Sequence, residues 1–135
     1  QLSLMFTPTI DAGININMKH DPATVRAGSI LDYSRLHDMT IQPWSPFQYG
    51  FFEGVFVDNE KFPEVNQKLQ EYAEKYNTNK SAIAIAWILR HPAKMQPIIG
   101  TMNPDRLKQI AEASNVRLTR EEWYDLYRAA GNTLP

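Results

Sequence analysis

The chain has 135 residues, 43% of them hydrophobic and 21% charged, with 14 Lys and Arg against 15 Asp and Glu for a net charge of −1. That is one ordinary domain or less, and wholesale disorder is excluded. The even charge excludes the basic footprint of a general nucleic-acid binder, and no apolar run approaches the ~20 residues of a membrane-spanning helix. The absence of cysteine removes disulfides, thiolate nucleophiles and Cys-based metal sites. A neutral, cysteine-free chain without a signal-peptide pattern is expected in the cytoplasm.

Residues 1–6 are short, apolar and alternating, which predicts a strand. The chain thus opens inside an element and without an initiator Met, whereas a domain edge is ordinarily polar. Either the terminus was cut or processed, or an upstream part is missing. Residues 7–24 carry Pro8, Gly13 and Pro22 and read as loop. Residues 28–37 predict a helix with Ile30, Leu31, Tyr33 and Leu36 on its inner side. Residues 39–44 predict a strand that stops at Pro43, where one ladder hydrogen bond is forfeited. Residues 45–62 form a long loop holding the aromatics Phe47, Tyr49, Phe51, Phe52, Phe56 and Phe62. Such residues can line an apolar pocket, and more often they pin a loop to its scaffold.

Residues 63–76 predict a helix with Pro63 in its first turn and Val65, Leu69, Tyr72, Ala73 and Tyr76 on one face. Thr78 or Asn79 caps the next helix, residues 80–90, whose apolar run from Ala82 to Leu89 predicts burial nearly all round. His91-Pro92 ends it. Residues 95–99 predict a third strand. Asn103 then caps a helix with Pro104 at its first position, and Leu107, Ile110 and Ala111 form its inner face. Thr119 and Glu122 have capping-box spacing and open a last helix with Trp123, Leu126, Tyr127 and Ala130 inward. Gly131 stops it. Strands alternating with helices argue for parallel βαβ units. A three-stranded piece leaves two edges and an open face, so a larger assembly or a second copy is expected.

Two segments are candidate binding sites. Where the third strand runs into its helix, Gly100 permits close approach to the backbone, Thr101 and Asn103 supply polar side chains, and Arg106 in the first turn can fork onto a phosphate. The bland alternative is that Asn103 only caps and Arg106 only forms a surface ion pair. At the end of the second strand, Trp44 can stack on a flat ring and Ser45 can hold an anion, because ligands of parallel α/β folds bind at carboxyl ends. The alternative makes Trp44 a core aromatic. His20, His37 and His91 lack metal-ligand spacing, and no carboxylate pair is poised for acid–base work.

The motifs Ile41-Gln42-Pro43-Trp44-Ser45-Pro46-Phe47, Ala82 to Pro92, and Pro97-Ile98-Ile99-Gly100-Thr101-Met102-Asn103-Pro104-Asp105-Arg106-Leu107, in that order, resemble the C-terminal half of an aldo-keto reductase. The ending, Leu118 to Pro135 with Glu122-Trp123-Tyr124 and Gly131, also looks like the close of the family's bacterial members, and the form Gln42-Pro43-Trp44-Ser45-Pro46 looks most like bacterial reductases known only as oxidoreductases. The resemblance implies an α/β fold, the C-terminal part of a (β/α)₈ TIM barrel holding strands six to eight with their helices. Residues 1–135 would be one portion of a single barrel domain. It further implies reduction of an aldehyde or ketone by hydride from NADP(H), with NAD(H) as the other option. By position, Trp44 stands where the family stacks on nicotinamide, and Ser45 and Phe47 where it meets the pyrophosphate. Gly100, Thr101, Met102 and Asn103 fall on the adenosine-side phosphate stretch. Arg106 falls at the 2′-phosphate, and Gln109 and Ile110 fall at the adenine. Gly100 departs from a common Lys and Ile110 from a common Asn, which puts the preference for NADP in question.

No segment matches the family's Asp, Tyr, Lys and His set, so the isolated chain is expected to be inert and its parent an enzyme acting on a small carbonyl substrate. No nucleic-acid or membrane partner is expected, and the isolated piece is expected to self-associate. The alternative is a non-catalytic α/β module that binds a nucleotide or pairs with itself.

Overall fold

The computed structural model describes residues 2–5, 30–50 and 53–132. Within them lie the helices α1 Ile30–Leu36, α2 Pro63–Lys75, α3 Lys80–Arg90, α4 Pro104–Ala111 and α5 Arg120–Ala129, with a 3₁₀ turn over Glu112–Asn115. The expected loop over residues 7–24 falls outside the described residues, as do His20, Gly28, Phe51 and Phe52.

Local chemistry starts and stops these helices. The Asn79 side chain accepts from the Ala82 N–H at 2.9 Å and opens α3. Asn103 accepts from Asp105 and Arg106 N–H at 2.9 and 3.2 Å and opens α4. Thr119 and Glu122 form a complete capping box on α5. Gly131, at φ 79°, ends α5 in the left-handed region that glycine tolerates best. His91 closes α3 and its Nδ1 accepts from the Ala93 N–H at 3.2 Å.

The core centres on α3. Ala82 to Ile88 are buried without a break, and α3 touches α2, α4, α5 and the 3₁₀ turn. Each fully buried Ile or larger side chain there contributes about 1.5–3 kcal/mol of burial energy. Val65, Leu69, Tyr72 and Ala73 of α2 and Leu126 and Tyr127 of α5 pack against it. Some expected faces differ. On α1 the buried residues are Leu31 and Ser34, whereas Tyr33 and Leu36 are exposed, Leu36 to 80%. On α4 only Ile110 is buried, and Leu107 and Ala111 face out. Periodicity marks an apolar stripe but not how much of it a neighbour covers.

The second and third expected strands shrink to bridges. Parallel bridges join Ile41 to Met95 and Trp44 to Ile98, and no longer strand forms among the described residues. The hydrogen bonds show why. Ile41 N–H donates to Lys94 C=O at 3.3 Å, Gln96 N–H to Ile41 C=O at 2.8 Å, and Ile98 N–H to Pro43 C=O at 2.8 Å. The next rung would be a donation from residue 43 to Gln96 C=O, and Pro43 has no N–H to give. Residues 2–5 hold no strand either; Leu2 N–H donates to Trp44 C=O at 3.4 Å, on the edge away from residues 94–98.

The two faces of this narrow sheet are unlike. Pro43 and Met95 point toward the helices and are buried. Gln42, Trp44, Gln96 and Ile98 point the other way, and Trp44 and Ile98 stay 38% and 44% exposed. Gln42 Nε2 donates to Gln96 Oε1 at 3.4 Å across this open face.

Candidate functional site

Beyond Trp44 the chain turns sharply. Ser45 takes φ 52°, and its C=O accepts from the Gln48 N–H at 3.1 Å. A left-handed serine costs about 1 kcal/mol or more and persists only where its surroundings hold it. The expected long loop then folds into a hairpin. Gln48 and Val55 form an antiparallel bridge, Phe56 N–H donates to Phe47 C=O at 3.0 Å, and Tyr49 N–H to Gly54 C=O at 3.2 Å.

Asn66, in the first turn of α2, anchors the base of this hairpin. Its Oδ1 accepts from the Asp58 N–H at 2.7 Å. Its Nδ2 donates to the carbonyls of Phe56, Asn59 and Phe62 at 2.8, 3.3 and 2.9 Å. Phe56 is fully buried, and Tyr49 packs on Phe62 with ring centroids 4.8 Å apart. The aromatics thus mostly pin the loop, and Phe47 alone of the described ones also lines a cavity.

That cavity has a volume of about 360 Å³, at the small end of the range for ligand sites. One wall is the turn and hairpin; the other is the stretch from Ile99 into α4. Ser45, Phe47, Gly100, Thr101, Arg106, Gln109 and Ile110, all expected from the sequence at a binding site, meet on it. The other expected residues lie outside the lining. Met102 is 94% exposed, Asn103 spends its side-chain oxygen on the α4 cap, and Trp44 sits on the open sheet face beside Ile98.

The lining also includes Pro46, Gln48, Val55, Val57, Asp58, Ser81 and Ile99. Val55 and Val57 reach the cavity only because the hairpin folds back, and Ser81 only because α3 and α4 are tied together. That tie is Asn79 Nδ2, which donates to Gln109 C=O and Glu112 Oε2, each at 3.0 Å. Pro46 and Ile99 fall inside the motifs read from the sequence; no local signal marks the others, except that an Asp-Asn pair such as Asp58-Asn59 favours a turn.

The site has a polar and an apolar part. Arg106 supplies a guanidinium that makes no ion pair among the described residues. Thr101 and Ser45 supply hydroxyls, and the Thr101 Oγ1 also accepts from the Asn103 N–H at 3.2 Å. A Cβ built on Gly100 would meet nothing within 4 Å, so space is open at that point of the lining. Val55, Val57 and Ile110 provide apolar surface. The arrangement can take an anionic group such as a phosphate beside a flat apolar one.

The groups with displaced ionisation line none of this cavity. Most of them sit on the α2–α5 seam; His91, at the end of α3, is the exception, and burial lowers its pKa. Burial and a bond to Glu122 push the Tyr76 hydroxyl up to about 12, and burial and Asp125 raise that of Tyr72. Among the described residues no group of three His, Asp or Glu is placed to hold a metal ion, and no helix is long and apolar enough to cross a membrane.

Comparison with known proteins bears on this geometry. A 6-dehydroglucose reductase of Agrobacterium fabrum is 34% identical over 102 residues, 73% of this chain and 32% of that protein. A second, from Novosphingobium aromaticivorans, is 32% identical over 106 residues, 78% of this chain and 34% of that protein. Oxidoreductase YdhF of Escherichia coli is 30% identical over 78 residues, 57% of this chain and 26% of that protein. The chain therefore spans about a quarter to a third of the length of these relatives. The model of the aldo/keto reductase family matches residues 14–130. By that match over most of its length, the chain belongs to the aldo/keto reductase family.

Proposed function

We propose that this chain supplies the adenosine and pyrophosphate side of an NAD(P)H site in an enzyme that reduces aldehydes or ketones to alcohols. One observation carries the reading: two carboxyl ends of parallel segments, at Ser45 and at Gly100, open onto one cavity together with Arg106. Ligands of parallel α/β folds occupy that end of the sheet. Several relatives are named as reductases, in agreement with such an activity.

On this reading the Arg106 guanidinium pairs with the 2′-phosphate, and Thr101 and Ser45 hydroxyls bond phosphate oxygens. Ile110, Val55 and Val57 take the adenine ring, with Gln109 at its edge. Trp44, half-open on the sheet face, stacks on the nicotinamide. NAD(P)H, when bound, supplies the hydride. Trp44 also excludes water from one side of the site.

The reading assigns the family's Asp, Tyr, Lys and His set to another part of the polypeptide, and places residues 1–135 in the C-terminal part of a (β/α)₈ barrel. The open face bearing Trp44 and Ile98 is what such a portion would present. The parent is proposed to act on a small carbonyl compound in the cytoplasm.

Thermal melting of the chain with millimolar NADPH tests the binding half of this reading. A rise of a few degrees is expected, as mass action requires when a ligand binds only the folded form. No rise with NADPH or NADH, together with no binding by calorimetry, would overturn it.

A further inference from the structure

Two opposite charges line the cavity directly. Arg106 comes from α4 and Asp58 from the base of the hairpin. Asp58 is fixed there by a left-handed φ of 58° and by its N–H bond to Asn66. Left alone, its carboxylate would oppose the Arg106 field for any anion in the same space. It is not left alone. Lys80, the first residue of α3, places its Nζ on Asp58 Oδ1. The Lys80 side chain is only 25% exposed against 70% for Asp58, so its stem lies on the protein while its head meets the carboxylate. Its neighbour Ser81 lines the cavity, and Asn79 on its other side is bonded to Gln109 of the lining. Lys80 is thus held on both sides at the cavity rim. Glu112, the other carboxylate near this corner, accepts from Asn79 and Thr78 and does not line the cavity.

We propose that the Lys80–Asp58 ion pair sets the selectivity of this site for a 2′-phosphorylated over an unphosphorylated ribose, by cancelling the Asp58 charge and leaving Arg106 in effect unopposed. The proposal rests on the dinucleotide reading above and deepens it. Uniform contacts such as stacking hold both cofactors alike; only a charge term separates a dianionic phosphate from a hydroxyl. Lys80 therefore does for this site part of what a cation at position 100 would do, where the chain has Gly100.

The full chain is titrated by calorimetry with adenosine 2′,5′-bisphosphate and with 5′-AMP, which differ only by the 2′-phosphate. Lys80→Gln should weaken the bisphosphate about three- to tenfold and leave 5′-AMP within about twofold, the size expected of one unit charge in a solvent-open site. Lys80→Arg should restore binding. Asp58→Asn should tighten the bisphosphate by a similar factor. Both effects should fade at about 0.5 M salt, where screening acts over a few ångströms. Equal losses for the two ligands in Lys80→Gln would mean that the pair only braces the wall, and no change in either would remove its role; both outcomes overturn the proposal and leave the dinucleotide reading standing. Failure of the unsubstituted chain to bind either ligand would instead overturn that reading and the proposal with it.

Discussion

Trp87 and Trp123 hydrogen-bond to each other reciprocally: Trp87 Nε1 donates to the Trp123 carbonyl at 3.1 Å, and Trp123 Nε1 donates to the Trp87 carbonyl at 2.9 Å. Their rings stack at 4.7 Å between centroids with planes 11° apart, and Tyr127 continues the stack 5.5 Å from Trp123. A buried indole must find an acceptor, and here each residue satisfies the other while the rings fill the space between α3 and α5. The pair is the main polar tie between those helices.

Trp87→Phe should therefore cost about 1–2 kcal/mol, because it removes one N–H donor from this part-buried pair. Trp123→Phe should cost a similar amount, and the double variant less than the sum of the two. Urea unfolding followed by circular dichroism measures all three. Strict additivity would show that the two bonds are independent.

The hairpin wall depends on one side chain. Asn66→Ala removes the single group that bonds Asp58, Phe56, Asn59 and Phe62. A loss of about 1–3 kcal/mol is expected. Hydrogen exchange should quicken at the Asp58 and Phe56 amides more than in α3. Uniform acceleration across the chain would point to global destabilisation instead.

Glu122 predicts the acid limit of the fold. It is buried, which favours the neutral acid, but bonds from Lys75, Tyr76 and the Thr119 N–H more than offset this and hold its pKa below the usual 4.5. Asp125 is lowered likewise: burial opposes ionisation, and Tyr72 and Lys68 outweigh it. Carboxyls that ionise more readily when folded add stability above their unfolded pKa. That stability is lost as pH falls through the folded values. The share of unfolding free energy that these two carboxyls supply should then drop below about pH 4.5, while His91, whose imidazole is held below its usual 6.5 by burial and by Arg35, adds an earlier loss as pH falls below about 6.5. Glu122→Gln should lower stability at pH 7 and flatten the acid drop; an unchanged acid slope in this variant would move the effect to other groups.

What the sequence shows of this molecule depends on how local the cause is. Asn79, Asn103, Thr119 and Gly131 act within three residues of themselves, so helix boundaries are legible. The rung lost at Pro43 is legible for the same reason. The exposure of Leu36 and Leu107 is not, because it depends on how much of each stripe a neighbour covers. Nor is the hairpin of Gln48 and Val55, which Asn66 fixes from α2. At the site, the motif residues Ser45 and Gly100 to Arg106 stand out as chemistry. Asp58 and Ser81 reach the cavity only through tertiary contacts and carry no motif.

Arg106 tests the polar end of the cavity. Arg106→Ala should weaken NADPH about tenfold or more and NADH by less than about threefold, the loss of a bidentate, charge-assisted pair being specific to the 2′-phosphate. Because Arg106 is exposed and unpaired among the described residues, melting should shift little. Equal weakening of both cofactors, read by fluorescence titration, would take Arg106 away from the 2′-phosphate.

Gly100 offers the converse experiment. Its φ is not in the left-handed region, and a Cβ there meets nothing within 4 Å, so a side chain can be added without strain. Gly100→Lys places a third cation beside Arg106 and Lys80. NADPH affinity should rise about three- to tenfold, with NADH affinity changed less than about twofold. Stability should stay within about 0.5 kcal/mol of the parent. The gain should also shrink when Lys80→Gln is combined with it by less than the two separate effects predict, since both cations act on one phosphate through the same solvent-screened space. A gain for NADPH and NADH alike would show that the added side chain packs on the shared part of the dinucleotide rather than reading its 2′-phosphate.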